Sequence, residues 1–437
     1  MDPLPFQDLP SLIAAHALAR PQAPALRLGD QLLSHGALHQ RMDRVAATLQ
    51  HHGLKPGDVV AVCATTSIAY VVLFFGALRA GVAVAPLAPS ATPAQLAGMA
   101  RDADARFVFV DADTDALGVA WPAGATLVRM ADGGSIDDWL LPGGARPRPV
   151  AIQPDWPFNI IYSSGTTGTP KGIVQPHAMR WANIQRAGLS GYEADTVTLI
   201  ATPLYSNTTL VCLIPTLAYG GCAVLMLKFD ALQYLRLAQA HRATHTMLVP
   251  VQYKRLMAHP DFDRFDLSAF RAKFSTSAPF HAELKADVLR RWPGGLTEYY
   301  GLTEGGGTCI LAAHLHPTKL HTVGQPAEGH DIRLIDEEGV EVPRGESGEV
   351  VGRSPGMMTG YHKQPALTAA AEWFNSDSER FIRTGDVGRF DDDGFLTLHD
   401  RRKDMIISGG FNIYPSDLEA VLCQHPAVAD AAVVGVP

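Results

Sequence analysis

The sequence predicts an α/β protein built on parallel sheets covered by helices on both faces, and three observations carry that expectation. Short β-rich runs alternate with helical patterns: DVVAVCA precedes SIAYVVLFFGALRAG, and RFVFVDA, TLIATPL, AVLMLK and HTMLVP follow. A hydrophobic content of 47% with 18% charge over 437 residues supports a large core divided into two or three subdomains. Finally, a loop with almost nothing apolar, YSSGTTGTPKG at 162–172, follows the apolar run IIY, where a strand should end.

In chain order, the start MDPLPFQDLP lacks the basic region and apolar core of a signal peptide. Residues 59–78 are uncharged, but CATTS interrupts them, so they read as a strand followed by a helix. Residues 196–227 are also uncharged. Pro203, SNTT, Pro215 and a Gly-Gly pair break them up, which lipid would leave unsatisfied, so a buried core is expected and no membrane span. Proline and glycine gather in GGARPRPVAIQPDWP, a long surface connection. After about residue 325, DIRLIDEEGVEVPRGESGEVVGRS reads as short strands between tight turns, a small β subdomain. A charged break, DRRKD, then introduces a strand, a helix (PSDLEAVLCQHP) and a further strand (VADAAVVGV). That is too little for a core of its own, so a division into residues 1–400 and 401–437 is expected, the second being the first part of a small domain.

A net charge of −8 and a pI near 6.1 give no basic footprint for nucleic acid. The five cysteines (Cys63, Cys212, Cys222, Cys309, Cys423) are widely spaced without a C-x-x-C pair, which favours free thiols in a reducing, cytoplasmic setting.

The loop carries the chemistry. Five serine and threonine hydroxyls, three glycines and Lys171 in eleven positions supply donors and a backbone that can approach an anion closely, so it reads as a phosphate loop. Lys171 has the spacing of G-x-x-x-x-G-K-[ST] counted from Gly165, but Pro170 replaces the second glycine and Gly172 the magnesium-binding hydroxyl. A P-loop NTPase is therefore disfavoured. A flexible linker is disfavoured too, because the chain resumes an apolar pattern directly afterwards. EYYGLTEG at 298–305 is a second polar turn, and a carboxylate near a phosphate loop can hold Mg²⁺. RTGD at 383–386 offers acceptors for ribose hydroxyls, although alone it reads as a solvated surface cluster.

In this order, YSSGTTGTPKG, YYGLTEG, RTGD and DRRKDMIISGGFNIYP resemble the adenylate-forming superfamily of acyl-CoA synthetases, luciferases and peptide-synthetase adenylation domains, over nearly the whole chain. The resemblance implies a large N-terminal domain of mixed, largely parallel sheets flanked by helices, with a small β subdomain, followed by the truncated start of a small α+β C-terminal domain. It implies an AMP-forming acid–CoA ligase that uses ATP, Mg²⁺ and coenzyme A on a carboxylic acid, as a monomer or homodimer. Thr166, Thr167, Gly168 and Lys171 would hold the β- and γ-phosphates, Thr303 would contact the α-phosphate and Glu304 would bind magnesium. The adenine would lie between Ser277-Ala278-Pro279 and the Tyr299-Tyr300-Gly301 run, with Glu298 accepting from its amino group. Asp386, assisted by Arg401, would take the ribose hydroxyls. Lys403 falls at the family's hinge, and Ser408, Gly409 and Gly410 would line the pantetheine tunnel. The glycine-threonine loop, Glu304 and Asp386 are expected around one nucleotide.

Two departures stand out. Where relatives carry a histidine after an aromatic pair, this chain has PLYSNTT, so Ser206 supplies no charge. Tyr205, Ser206, Asn207 and Thr208 then suit a small or medium polar acid, a hydroxylated one among the candidates, over a long fatty acid, unless they merely cap strand ends. The family's adenylating lysine lies beyond Pro437, so this form is expected to adenylate poorly. An amino-acid or aryl-acid adenylation domain is the nearest rival, although PLYSNTT lacks the aspartate that would pair a substrate ammonium. A luciferase-type oxygenase shares the first step, and a non-catalytic nucleotide-binding paralogue is the alternative of another class. No K-x-D-G nucleophile of a nucleic-acid ligase is present.

Overall fold

The computed structural model describes residues 4–131, 135–163, 171–401, 406–408, 411–413 and isolated positions from 418 to 434, with backbone alone at Ser163, Asp400, Arg401 and the strands beyond. The chain forms two units, Met1–Leu296 with Met358–Thr368, and Thr297–Met357 with Ala369–Pro437.

The first unit holds two sets of strands. One runs in the order β18 (Gly360–Tyr361), β8 (Lys171–Pro176), β7 (Pro157–Ser163), β4 (Ala83–Pro86), β3 (Val59–Cys63), β5 (Ala105–Val110) and β6 (Thr126–Arg129). From β7 to β6 the pairing is parallel, while β8 returns antiparallel on β7 and β18 antiparallel on β8. The other has β12 (Ala272–Ser275), β11 (His245–Leu248), β9 (Val197–Ile200), β10 (Cys222–Leu225) and β1 (Pro24–Leu28) all parallel, with β2 (Gln31–Ser34) antiparallel beside β1. Parallel neighbours need crossovers. The helices are α1 (Leu9–Ala19), which precedes every strand, and, between strands, α2 (His35–His51), α3 (Ile68–Arg79), α4 (Pro93–Asp102), α5 (Ala112–Asp115), α6 (His177–Gly188), α7 (Asn207–Ala218), α8 (Ala231–Ala240), α9 (Pro250–Met257) and α10 (Ala282–Arg291).

Residues 59–78 form β3 and most of α3, as the sequence predicts. Ser67 caps α3 by accepting from the Tyr70 N–H at 3.0 Å, and the helix buries nearly every side chain because α2 covers its outer face. At Gly76 the two helices come so close that a Cβ would lie 2.5 Å from Val45 Cβ. Residues 196–227 are a buried strand–helix–strand. The expectation that Pro215 interrupts them is corrected: α7 runs through it, and Gly220, at φ +76°, ends the segment instead. No helix among the described residues is long and apolar enough to cross a membrane. Cys63, Cys212, Cys222 and Cys309 are buried free thiols, and Cys423 lies outside the described residues.

A buried lysine closes the far end of β12. Lys273 is fully buried, and its ammonium donates to the carbonyls of Trp292 (3.1 Å), Pro293 (2.6 Å) and Gly294 (2.6 Å), which lie past the end of α10. Three donors meet three acceptors that the helix leaves unpaired. Trp292 itself packs among the rings of Tyr234, Tyr253, Phe262 and Phe270.

In the second unit, β13 (Gly295–Leu302) and β14 (Gly305–Ala312) form a hairpin, with β15 (Gln325–Pro326) paired to β14. The expected β subdomain is present: β16 (Asp331–Ile335), β17 (Ser347–Arg353), β20 (Arg380–Phe390) and β19 (Glu372–Phe374) run antiparallel, with β21 (Leu396–Arg401) on β20. DMIISGGFNIYP contributes the two-stranded hairpin β22 (Ile406–Ser408) and β23 (Phe411–Ile413). The strand expected within VADAAVVGV is absent at residues 431–434, where no neighbouring strand among the described residues pairs with it.

Two buried histidines set an acid limit on the first unit. Desolvation pulls His177 and His245 from 6.5 to about 4, so both fold as neutral imidazoles. Between those values the unfolded chain binds more protons than the native one, so stability falls as pH falls through this window, by up to about 3 kcal/mol per histidine. Urea denaturation from pH 7 to pH 4 is expected to show that slope. His245→Gln is expected to make it shallower.

Candidate active site

The candidate phosphate loop is the connection between two antiparallel strands. In the β7–β8 pair Tyr162 faces Gly172 and Ser163 faces Lys171, so residues 164–170 join two strand ends that already sit side by side. Thr166, Thr167 and Gly168 lie outside the described residues. Their stem does not. The Tyr162 phenol donates to Asp102 Oδ2 at 2.6 Å, and burial with that carboxylate beside it holds the phenol protonated. Lys363 donates to the Asp102 carbonyl at 2.8 Å and pairs with Asp104 at 2.6 Å. On the other stem the Lys171 ammonium stands 5.7 Å over the Tyr361 ring, and β18 is zipped to β8 by Gly360 opposite Val174 and Tyr361 opposite Ile173. Packing is tight at Gly172, where a Cβ would come to 3.0 Å from Ile160 and from the Tyr162 ring.

Two further candidate groups leave the carboxyl ends of parallel strands, where open α/β sheets bind ligands. After β9, Tyr205, Ser206 and Asn207 are half-buried and Thr208 is buried. Ser206 is the N-cap of α7, its hydroxyl accepting from the Thr208 N–H at 3.2 Å; it caps a helix and not a strand end. After β12, Ser277, Ala278 and Pro279 form an exposed turn in which Ser277 takes a φ of +80°. The two loops touch: Thr208 Oγ1 and Ser277 Oγ are 2.9 Å apart. The candidate acid-binding and adenine-binding segments of this unit are therefore joined by a hydrogen bond.

Beneath them lies a residue that the sequence reading did not single out. Arg180, 1% exposed on α6, donates to Asn159 Oδ1 (3.2 and 2.9 Å), Gln175 Oε1 and Asn207 Oδ1 (3.0 Å), with the Phe158 ring 5.6 Å from its Cζ. All three acceptors are neutral amides. Desolvation lowers its pKa to about 9, so it stays charged at neutral pH. The signal was available: His177, Arg180 and Ile184 repeat at helical spacing and all are buried, so a charge occupies the apolar stripe.

In the second unit, Thr303 and Glu304 are the two-residue turn between β13 and β14, since Leu302 pairs with Gly305. Gly305 adopts φ +90°, and a Cβ there would sit 2.2 Å from the Gly356 carbonyl oxygen, so only glycine closes this turn. Tyr299 and Tyr300 are half-buried on β13, Gly301 is exposed, and Glu298, 4% exposed, is an interior strand position and not a surface turn residue. The Tyr300 phenol donates to Asp386 Oδ2 at 2.8 Å, and burial together with that carboxylate raises its pKa. RTGD is not a loose surface cluster. Arg383 pairs with Glu349, Thr384 donates to the Val350 carbonyl at 2.8 Å, and the Thr384 hydroxyl accepts from the Asp386 N–H at 3.0 Å. Asp386 stands opposite Arg401 in the β20–β21 register. The side chains of Arg401 and Ser408, and the whole of Lys403, Gly409 and Gly410, lie outside the described residues.

The single carboxylate of the half-buried Glu304 suits Mg²⁺, which keeps several waters and takes phosphate oxygens; among the described residues no cluster of three ligating side chains competes with it.

The sequence profile described as AMP-binding enzyme matches residues 13–362. Feruloyl-CoA synthase from an Amycolatopsis species is 34% identical over 99% of this chain and 86% of its own. The fatty acid–[acyl-carrier-protein] ligase ScoC of Streptomyces coeruleorubidus is 30% identical over 100% of this chain and 86% of its own. ATP-bound MatB from Rhodopseudomonas palustris superposes with a TM-score of 0.88 at 31% identity, covering 99% of this chain and 86% of that one.

Replacing Gly305 with alanine forces both a left-handed backbone and a contact with Gly356, and is expected to cost at least about 2 kcal/mol in urea denaturation. Gly329→Ala, at φ +75° with open space around its Cβ, is expected to cost less.

Proposed function

Because the chain belongs to the AMP-binding enzyme family, we propose that it is an ATP-dependent carboxylic acid–CoA ligase that forms an acyl-adenylate and then a CoA thioester. The observation that carries this reading is the unbroken likeness to an acid–CoA synthase across 99% of the chain. A carboxylate oxygen attacks the α-phosphorus of ATP and pyrophosphate leaves. The CoA sulfur then attacks the acyl carbon, its proton passing to solvent, and AMP leaves.

The difficulty in the first step is that two anions must meet, so donors have to meet the charge that builds on the phosphates. Lys171 and the 164–170 loop, with Thr166, Thr167 and Gly168, take the β- and γ-phosphates. Thr303 takes the α-phosphate. Glu304 holds Mg²⁺, which supplies Lewis-acid neutralisation of phosphate charge when bound. Asp386 and Arg401 take the ribose, and the Tyr300 phenol fixes one oxygen of that carboxylate. Ser277-Ala278-Pro279 and the run from Glu298 to Gly301 flank the base. Lys403 serves as the hinge, and Ser408, Gly409 and Gly410 line the pantetheine path.

Tyr205, Ser206, Asn207 and Thr208 line the acid pocket. The substrate is a small or medium acid that presents polar atoms to these side chains, and a hydroxylated aryl acid of the kind in the feruloyl relative's name falls within that class. The ScoC relative, named for an acyl-carrier-protein acceptor, makes a phosphopantetheinyl carrier the second acceptor to try.

In a chain that carries the family's adenylating lysine, incubation with ATP, Mg²⁺, CoA and a panel of carboxylic acids is expected to give acid-dependent AMP and pyrophosphate. Lys171→Ala is expected to lower the rate by about 100-fold or more. AMP binding by that lysine-bearing chain without acid-dependent pyrophosphate from any acid would replace this reading with a non-catalytic nucleotide-binding one. Tyr300→Phe tests the ribose site separately: loss of one hydrogen bond to a carboxylate should weaken AMP binding by roughly tenfold in calorimetric titration.

A further inference from the structure

Arg180 stands at an unusual electrostatic position. No carboxylate accepts from it among the described residues, and its Nη1 is buried without a hydrogen-bond partner. The positive charge lies against Asn207, the first residue of α7, where the N-terminal end of the helix dipole adds partial positive charge of its own. This part of the protein is thus cationic and uncompensated, although Ser206 itself contributes no charge.

The cluster also fixes which way Asn207 points. Arg180 can only donate, so the atom it touches at 3.0 Å must be the amide oxygen. The Asn207 Nδ2 group is then the free end, and it makes no hydrogen bond within the described residues. Asn207 is half-buried, whereas Arg180 is 1% exposed, so a ligand reaches the amide and not the guanidinium. The next residue, Thr208, is bonded to Ser277 in the candidate adenine turn, so Asn207 adjoins the segment where the acyl group and the nucleotide meet.

We propose that Asn207 Nδ2 reads a second oxyanion on the acid substrate, with Arg180 as the positioning residue that turns the amide outward and supplies the balancing charge. The preferred substrates are then acids bearing a second carboxylate, in preference to alkyl acids of the same shape. The idea rests on the ligase reading above and narrows its substrate class.

The test uses acyl sulfamoyl adenosines, non-reacting mimics of the acyl-adenylate, in matched pairs: succinyl against 4-methylpentanoyl, and 4-carboxybenzoyl against 4-isopropylbenzoyl. Titration calorimetry is expected to show the carboxylated member of at least one pair bound roughly ten- to a hundredfold more tightly, the range of a hydrogen bond to a charged group. Asn207→Leu should bring that ratio to within about threefold of unity. Arg180→Met should do the same, and Arg180→Lys should restore part of it, which a purely structural role would not. Should Arg180→Met fail to fold, the half-buried Asn207→Leu still decides. Equal binding within both pairs, or a ratio untouched by Asn207→Leu, overturns the proposal and leaves the ligase reading standing. Normal AMP binding with no affinity for any acyl analogue sinks the ligase reading itself, and this inference with it.

Discussion

Parallel pairing of β12, β11, β9, β10 and β1 is the constraint from which the first unit's candidate groups follow. Each parallel step demands a crossover helix, and each crossover begins at the carboxyl edge of the sheet. PLYSNTT and SAP are therefore delivered to the same edge although about seventy residues separate them in the chain, and the Thr208–Ser277 hydrogen bond records their meeting. Antiparallel pairing does a different job. In β7–β8 it places the two ends of a polar loop side by side. In β13–β14 it makes a two-residue turn of Thr303 and Glu304.

The polar residues here fall into two kinds. Some are candidate ligand groups held in place by a neighbour, as Tyr300 fixes Asp386 and Arg180 fixes Asn207, while Asp102 fixes Tyr162 on the stem of the polar loop. The others are those neighbours, and a buried donor or acceptor among them is costly unless it is paired. The Arg180 group of amides is the sharpest case. It sustains a buried charge on dipoles alone, an arrangement that favours a negative ligand nearby over none.

Much of this was legible beforehand because it is local. The strand and helix at 59–78 and the β subdomain after residue 325 each follow from patterns a few residues long, whereas EYYGLTEG reads as a turn throughout and only Thr303 and Glu304 prove to be one, Glu298 to Leu302 being strand. What escaped depended on partners far away in sequence. Nothing in TLIATPLYSNTTLVCLIPTLAYGG says that Pro215 is tolerated, because that depends on the burial of α7 on all sides. RTGD resembles a solvated cluster until Glu349 and Tyr300, 34 and 86 positions away, are seen to occupy Arg383 and Asp386. Arg180 shows a third cause: its position on the apolar stripe was visible, but its meaning lay in Asn159, Gln175 and Asn207.

Lys273 has a consequence of its own. Its ammonium is sealed beneath Trp292 and spends all three N–H groups on backbone carbonyls, so amine-selective acylating reagents meet it only when the turn after α10 opens. The extent to which it escapes labelling, relative to surface lysines such as Lys363, therefore reports how often that turn opens in an otherwise native molecule.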